Sequence, residues 1–276
     1  MRDFSGRVAV ITGASHGIGK AIAARCAREG MKVVLAGINE QFLREVKGEL
    51  ERTGAEVLTV RTDVSRFSDV RELARKTMDA FGSVDLLVNN AGVVAGGSIM
   101  ETALADWEWV MGVNLWGVIY GLHVFVPIML AQGSECHVVN TASVSGLLPA
   151  HPFVPYQVTK YAVVALTENL FHSLPAGSPL GVSALCPGVV ATALGSAERN
   201  RPPGLRESPV DGRTPRTPGG QPLGAPDGFA AGMSAEEVAS RTFDGIREKR
   251  LYIMTHPEHN AEIRARMERI LAAGGG

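Results

Sequence analysis

Short β-branched runs alternate with helical stretches through most of this chain, and no other feature restricts the fold as strongly. The runs occupy residues 7–12 (RVAVIT), 32–37 (KVVLAG), 56–61 (EVLTVR), 84–90 (VDLLVNN), 136–143 (CHVVNTAS), 181–187 (GVSALCP) and 251–255 (LYIMT). Helical patterns fill 18–28, 41–52 and 68–81 between the first four. Alternation of this kind predicts an α/β fold: a doubly wound parallel sheet of about seven strands, covered by helices on both faces. The chain has 276 residues, which suits one nucleotide-binding and catalytic domain spanning 1–276. No repeat of the solenoid kind interrupts it.

Bulk composition narrows the partners. A net charge of −1 gives no reason to expect nucleic acid or an anionic membrane. The opening MRDFSGRVAV lacks the apolar stretch of a secretory leader. Cys26, Cys136 and Cys186 lie far apart without metal-ligand spacing, so they are expected to be reduced thiols in a cytoplasmic protein. His16, His123, His137 and His151 form no ligand cluster by spacing, and no metal is expected. The apolar stretch 109–132 approaches a membrane span in length, but Asn114, His123 and Pro127 interrupt it. It reads as a helix buried in the core and against another subunit.

Residues 187–233 break the alternation. Eight of the fifteen prolines fall between Pro187 and Pro226, together with Arg199, Arg201, Arg206, Arg213 and Arg216. Segment 188–233 is expected to be a flexible substrate loop, mobile over 190–228 until ligands order it. Its arginines read as a solvated surface, with recruitment of an anionic substrate as the alternative. Ser234 and Glu237 have capping-box spacing for the helix that follows, and the tail 272–276 is expected to fray.

Three motifs share one edge of the expected sheet. Gly13, Gly17 and Gly19 lie in the turn after the first run (TGASHGIG). Glycines there let backbone N–H groups approach a pyrophosphate at a helix N-terminus; alone, the motif could be an ordinary glycine-rich turn. Asp63–Val64 closes the third run, where a carboxylate can accept from an adenine amino group. Asn89–Gly92 (NNAG) closes the fourth, at the strand ends where open α/β sheets bind ligands. Tyr156 and Lys160 stand four residues apart in FVPYQVTKYA, which puts them on one helix face as packing partners or as reacting groups.

Taken together, these residues resemble the short-chain dehydrogenase/reductase family of the compact single-domain kind. The resemblance runs from Gly6 to Pro187 and resumes near Ser234. It rests on TGxxxGxG at Thr12–Gly19, NNAG at Asn89–Gly92, a helical Asn114, Ser143 thirteen residues before Tyr156, YxxxK at Tyr156–Lys160, and PG at Pro187–Gly188. It implies a Rossmann-like sheet and reversible hydride transfer between a nicotinamide cofactor and an alcohol/ketone pair. Tyr156 is then the acid/base, Lys160 lowers its pKa and holds the nicotinamide ribose, and Ser143 donates to the substrate oxygen. Asn114 holds a water that links Lys160 to solvent. Free tyrosine titrates near 10, too high for a base at neutral pH, so an ammonium one turn away is the expected remedy. Tyr161 points about 100° away on the helix and is expected to be structural.

The resemblance also implies a cofactor cradle of Gly13, Ser15, His16, Gly17, Ile18, Gly19, Asn39, Asp63, Val64, Asn90, Ala91, Gly92, Tyr156, Lys160, Pro187, Gly188, Val190 and Thr192. Where the family reads the adenosine ribose, this chain offers Gly37, Ile38 and Asn39, neither an acid nor an arginine, while Glu40 is expected to serve the next helix cap. His16 stands where relatives that prefer NADP carry a basic residue. Both NAD and NADP are therefore expected, with a modest lean to NADP at low pH. The substrate wall is expected along 144–155 with Val93 and Val94; Ser143, Ser145, Val94, Phe153 and Tyr156 would face the ligand. Such a wall suits an apolar secondary alcohol or ketone as the small-molecule substrate. Two alternatives are an epimerase or dehydratase using the same Tyr–Lys pair, and a non-catalytic nucleotide sensor. A homotetramer, with 109–132 and the helix after Tyr156 at the two-fold contacts, is the expected assembly.

Overall fold

The computed structural model describes residues 1–149, 153–205 and 232–274. Seven strands form one sheet: β1 (Val8–Thr12), β2 (Lys32–Gly37), β3 (Val57–Arg61), β4 (Leu86–Asn89), β5 (Cys136–Thr141), β6 (Leu180–Cys186) and β7 (Tyr252–Met254). Their order is β3-β2-β1-β4-β5-β6-β7, and every pairing is parallel. The order reverses beside β1, which opens a crevice at the carboxyl ends of β1 and β4.

Strand periodicity explains how both faces are filled. Ala9 and Ile11 of β1 turn to one face and Val8 and Val10 to the other, because successive side chains of a strand alternate. The first face is covered by helices α1 (Gly17–Arg28), α2 (Glu40–Glu51) and, of those nearer the C-terminus, α7 (Ala235–Arg247), with Ile22, Leu43 and Phe243 sealed from solvent. The second is covered by α3 (Phe67–Phe81) and α5 (Gly117–Ala131), where Leu73, Phe125 and Met129 are buried. Helix α6 (Val154–Ser173) lies beside α5, packing Val163 and Val164 against β6 residues Ala184 and Cys186. The last helix, α8 (Asn260–Ala273), buries no residue fully.

The apolar stretch is one long helical rod. Helix α4 (Leu104–Met111) passes through a π-helical turn, Gly112–Trp116, into α5. By length and composition the rod, Leu104–Ala131, could cross a membrane. Here its inner side lies on the sheet, while Trp116 and Leu130 remain exposed on its outer side.

Several local expectations are corrected. Ser234 accepts from the Glu237 amide at 3.1 Å, but the Glu237 carboxylate turns to Arg241, so only half a capping box forms. The cap of α2 is Asn39, whose Oδ1 accepts from Phe42 N at 3.2 Å; Glu40 opens the helix and pairs with Arg44 instead. The segment after β6 is not structureless throughout, since short 3-10 turns occupy Ala193–Asn200 and Pro203–Leu205. Helix α8 runs to Ala273, and the final two residues lie outside the described residues. His151, the middle of the 144–155 wall, Arg206, Arg213, Arg216 and the later part of the expected loop lie outside the described residues.

Candidate active site

A cavity of about 690 Å³ opens along the carboxyl ends of β1, β4, β5 and β6. Every predicted site residue lines it except Gly19 and Asn114. Gly19 lies too close to the turn to face the cavity. A Cβ there would stand 2.4 Å from the Gly13 carbonyl oxygen, so glycine is what lets α1 start directly beneath its own loop. Gly13 and Gly17 have φ of +64° and +52°, a region costly for other residues. No side chain caps α1, and its first amides remain available to an anion at the positive end of the helix dipole.

One residue missing from the predicted cradle organises two of its turns. Thr12 Oγ1 accepts from the amides of Asn90 and Ala91 at 2.8 and 3.0 Å, and Asn90 Nδ2 donates to the Thr12 carbonyl at 3.0 Å. The β1 and β4 turns are thereby tied edge to edge. Only the position of Thr12 as the first letter of TGxxxGxG signalled it. On the adenosine side, Asp63 Oδ1 accepts from the amide and hydroxyl of Ser65 at 3.0 and 2.6 Å, fixing the turn after β3. His16 stacks edge-on against Phe42, with centroids 4.6 Å apart, and its Nδ1 lies 3.0 Å from Ser15 Oγ. Burial, followed by the nearby Arg199 and Lys20 cations, holds its pKa below the usual value.

The reacting groups converge on α6 and the end of β5. Tyr156 is half-buried and lines the cavity; burial pushes its pKa up to about 12, while hydrogen bonding with Ser143 pulls the other way. Lys160 is buried, and this pushes its pKa down to about 8. Its Nζ donates to the Thr141 carbonyl at 2.7 Å and stands 5.3 Å from the Tyr156 ring centroid. With Lys160 in this position, burial and Ser143 set the direction of the tyrosine shift. Lys160 is spent on a backbone carbonyl, and in the chain alone desolvation wins.

Ser143 both caps a turn and faces the cavity. Its Oγ accepts from Ser145 N at 3.1 Å and donates to Pro187 O at 3.3 Å. Ser145 belongs to that 3-10 turn, Val144–Gly146. Asn114 sits in the π-helical turn with its side chain fully buried. Its Oδ1 accepts from Val93 N at 2.8 Å, and its Nδ2 donates to Val93 O at 2.9 Å and to Thr159 Oγ1 at 3.3 Å. Those protein bonds fix the Asn114 side chain between the π-helical turn, the turn after β4 and α6. Tyr161 lies under the Arg266 guanidinium at 5.3 Å and does not line the cavity. Beyond Tyr156 the lining includes the apolar Val93, Trp109, Val113, Leu148, Phe153 and Leu205, and the same cavity also carries Glu108, Arg199, Asn200, His259 and Glu262. Trp109 and Leu205 carried no signal in the sequence. Among the described residues, no three His, Cys, Asp or Glu side chains group as metal ligands would.

Comparison with known proteins agrees with this geometry. Residues 7–202 match the family model described as short chain dehydrogenase. The chain belongs to the short-chain dehydrogenase/reductase family. It is 35% identical over 277 residues to a CLA biosynthesis dehydrogenase/reductase of Lactiplantibacillus plantarum, covering 99% of this chain and 96% of the relative. Among solved structures, a short-chain dehydrogenase/reductase of Burkholderia phymatum in complex with NAD superposes with a TM-score of 0.92 at 46% identity, over 99% of this chain and 97% of that one. The 3-ketoacyl-(acyl-carrier-protein) reductase of Brucella melitensis, complexed with NADH, superposes at 0.72 with 27% identity, over 91% and 96% of the two chains. As a family oxidoreductase, the chain carries the Rossmann-like sheet expected from its alternation.

Proposed function

We propose that this oxidoreductase catalyses reversible, nicotinamide-dependent hydride transfer between an apolar secondary alcohol and its ketone. One observation carries the reading: the Tyr156 hydroxyl, Ser143 and Lys160 share a single cavity that runs from the uncapped α1 N-terminus to an apolar wall. The glycine turn fits a dinucleotide, because Gly13 and Gly17 hold backbone conformations open to few other residues and the α1 amides beside them have no side-chain cap. A bound nicotinamide cofactor supplies the hydride donor or acceptor. Tyr156 then gives its phenolic proton to the carbonyl oxygen during reduction and takes the alcohol proton during oxidation. Ser143 turns its hydroxyl from Pro187 O to that same oxygen, stabilising the charge that develops there. Lys160, already desolvated, needs only to leave Thr141 O to stabilise the phenolate.

Both NAD and NADP fit the ribose end, since no carboxylate opposes a 2′-phosphate at Gly37–Asn39. Burial holds the His16 pKa below its usual value, so its pull on a 2′-phosphate grows as pH falls. The NAD complex of the Burkholderia relative supports NAD as the first cofactor to test. A homo-oligomer is supported by apolar side chains left outside: Trp116 and Leu130 on the rod, Val158 and Phe171 on α6. Cofactor absorbance at both nicotinamide forms, followed with a panel of secondary alcohols and ketones, tests the reading. Turnover of apolar pairs supports it, and cofactor binding without turnover of any of them would replace it with the sensor alternative.

A further inference from the structure

Arg201 looks like one more cation of a loop surface in the sequence, yet its side chain is only 8% exposed. Its Nη2 lies 2.6 Å from Asp106 Oδ1, and its Nε lies 2.5 Å from Glu198 Oε1. The guanidinium carbon stands 4.2 Å from the centroid of the Trp109 ring, and Nη1 reaches the Leu205 carbonyl at 3.4 Å. Asp106 and Trp109 belong to α4 and are three residues apart, which places them on one helix face. Glu198, Arg201 and Leu205 belong to the segment after β6. A single planar side chain therefore joins two parts of the chain about a hundred residues apart.

The location of this pair sets its role. Neither Arg201 nor Asp106 lines the cavity, while Trp109, Ala197 and Leu205 do. Trp109, Ala197, Val93 and Val110 form a buried cluster against which Val113, Leu205 and Tyr156 pack. The ions thus stand immediately behind the wall that ends at the catalytic tyrosine. Desolvating two charges is costly, and replacing a buried pair with apolar groups is often neutral for stability. What the pair supplies is one defined geometry: a fork on Asp106 and Glu198, and a flat stack on Trp109.

We infer that the Arg201–Asp106 pair is a specificity device. It holds Ala197 and Leu205 against Trp109 and so shapes the apolar end of the cavity for the extended hydrocarbon part of the substrate. The inference rests on the alcohol/ketone reading above. Arg201 acts through Trp109 and Leu205 and is a positioning residue.

The test compares the intact chain with Arg201→Met, Asp106→Asn, Arg201→Lys and the double variant Arg201→Met/Asp106→Leu. Steady-state kinetics use a short secondary alcohol (2-butanol) and a long one (2-decanol), and cofactor Kd and Tm are measured separately. In Arg201→Met and Asp106→Asn, KM for the long alcohol should rise about tenfold or more, a typical size for lost coupling between contacting groups. The KM for the short alcohol, kcat and cofactor Kd should stay within about threefold, because the pair touches neither the reacting atoms nor the cofactor cradle. Arg201→Lys keeps the charge but loses the fork and stack, so it should fall between. The double variant leaves no unpaired ion and should recover Tm relative to the single variants while its long-alcohol KM remains raised. A fall in Tm with unchanged long-alcohol KM overturns the inference, as does an equal rise for both alcohols. If the parent chain turns over no alcohol, the functional reading fails separately. Tryptophan fluorescence titrated with 2-decanone then measures binding directly, and affinity equal in the parent and Arg201→Met overturns the device on its own.

Discussion

His256 holds Gly188 by its ring. The Gly188 amide donates to His256 Nδ1 at 2.9 Å, and His256 Nε2 lies 3.1 Å from the Val189 carbonyl. That carbonyl can only accept, so the proton sits on Nε2 and Nδ1 is the acceptor. On the other side of the turn, Pro187 O accepts from the Val144 amide at 2.9 Å and from Ser143 Oγ at 3.3 Å. The PG turn of the cavity is thus gripped by the turn after β5 and by His256, two residues past β7.

Replacing His256 with Leu should leave the half-buried Gly188 amide without its acceptor, while the Val189 carbonyl keeps the Met233 amide at 3.0 Å. The expected loss is about 1–3 kcal/mol of folding stability, from the hydrogen bond and the desolvation of the one orphaned donor. Cofactor affinity should weaken as well, because Gly188 and Val189 line the cavity. Urea unfolding together with a cofactor-binding isotherm checks both; unchanged values in the two would show that the turn holds itself.

Tyr156→Phe should abolish turnover while cofactor still binds, since only the hydroxyl that exchanges the proton is lost. Tyr161→Phe should be nearly silent, because its ring contact with Arg266 survives without the hydroxyl. Single-turnover absorbance and a binding isotherm separate the two effects. Equal loss of activity in both variants, with the fold intact, would remove Tyr156 from its role.

Lys160 links stability to pH. Its pKa is about 8 in the fold and near 10.4 when unfolded, so the unfolded chain binds more protons between those values. Stability therefore rises as pH increases from 8 to about 10.4, and is flat with respect to this group below 8. The gap amounts to about 3 kcal/mol. Lys160→Met lacks it. Comparing denaturant unfolding of both chains at pH 7.5 and 10 cancels the groups they share. The parent should gain on the variant at the higher pH, and parallel behaviour would mean that the ammonium keeps an ordinary pKa.

Gly37→Asp should shift cofactor preference toward NAD by one to two powers of ten. An added Cβ meets Leu43 Cδ2 at 3.5 Å, ordinary contact, so the fold tolerates it. A carboxylate at that strand end can bind ribose hydroxyls and oppose a 2′-phosphate, worth about 1.5–3 kcal/mol for a charge-assisted hydrogen bond. The ratio of kcat/KM for the two cofactors reads the shift. An unchanged ratio would place the ribose away from Gly37.

The chain's own periodicities determined the sheet and its two covered faces, because a strand's period of two and a helix's period of 3.6 are local properties. The same holds for the cluster of motifs at one sheet edge. Parallel strands all point the same way, so the turns after Thr12, Arg61, Asn89 and Thr141 must emerge together. YxxxK placed Tyr156 and Lys160 on one helix face by the same local geometry. Local rules do not say what a side chain meets across the fold, and there the tertiary structure alone decided. Lys160 turned to Thr141 O and Asn114 to Val93, since a buried amide or ammonium takes the nearest available backbone partner when water is excluded. Arg201 left the loop surface for Asp106, 95 residues away, and His256 reached Gly188, 68 residues away. Contacts at those separations have no period in the sequence; they exist only once the sheet has brought its distant ends together.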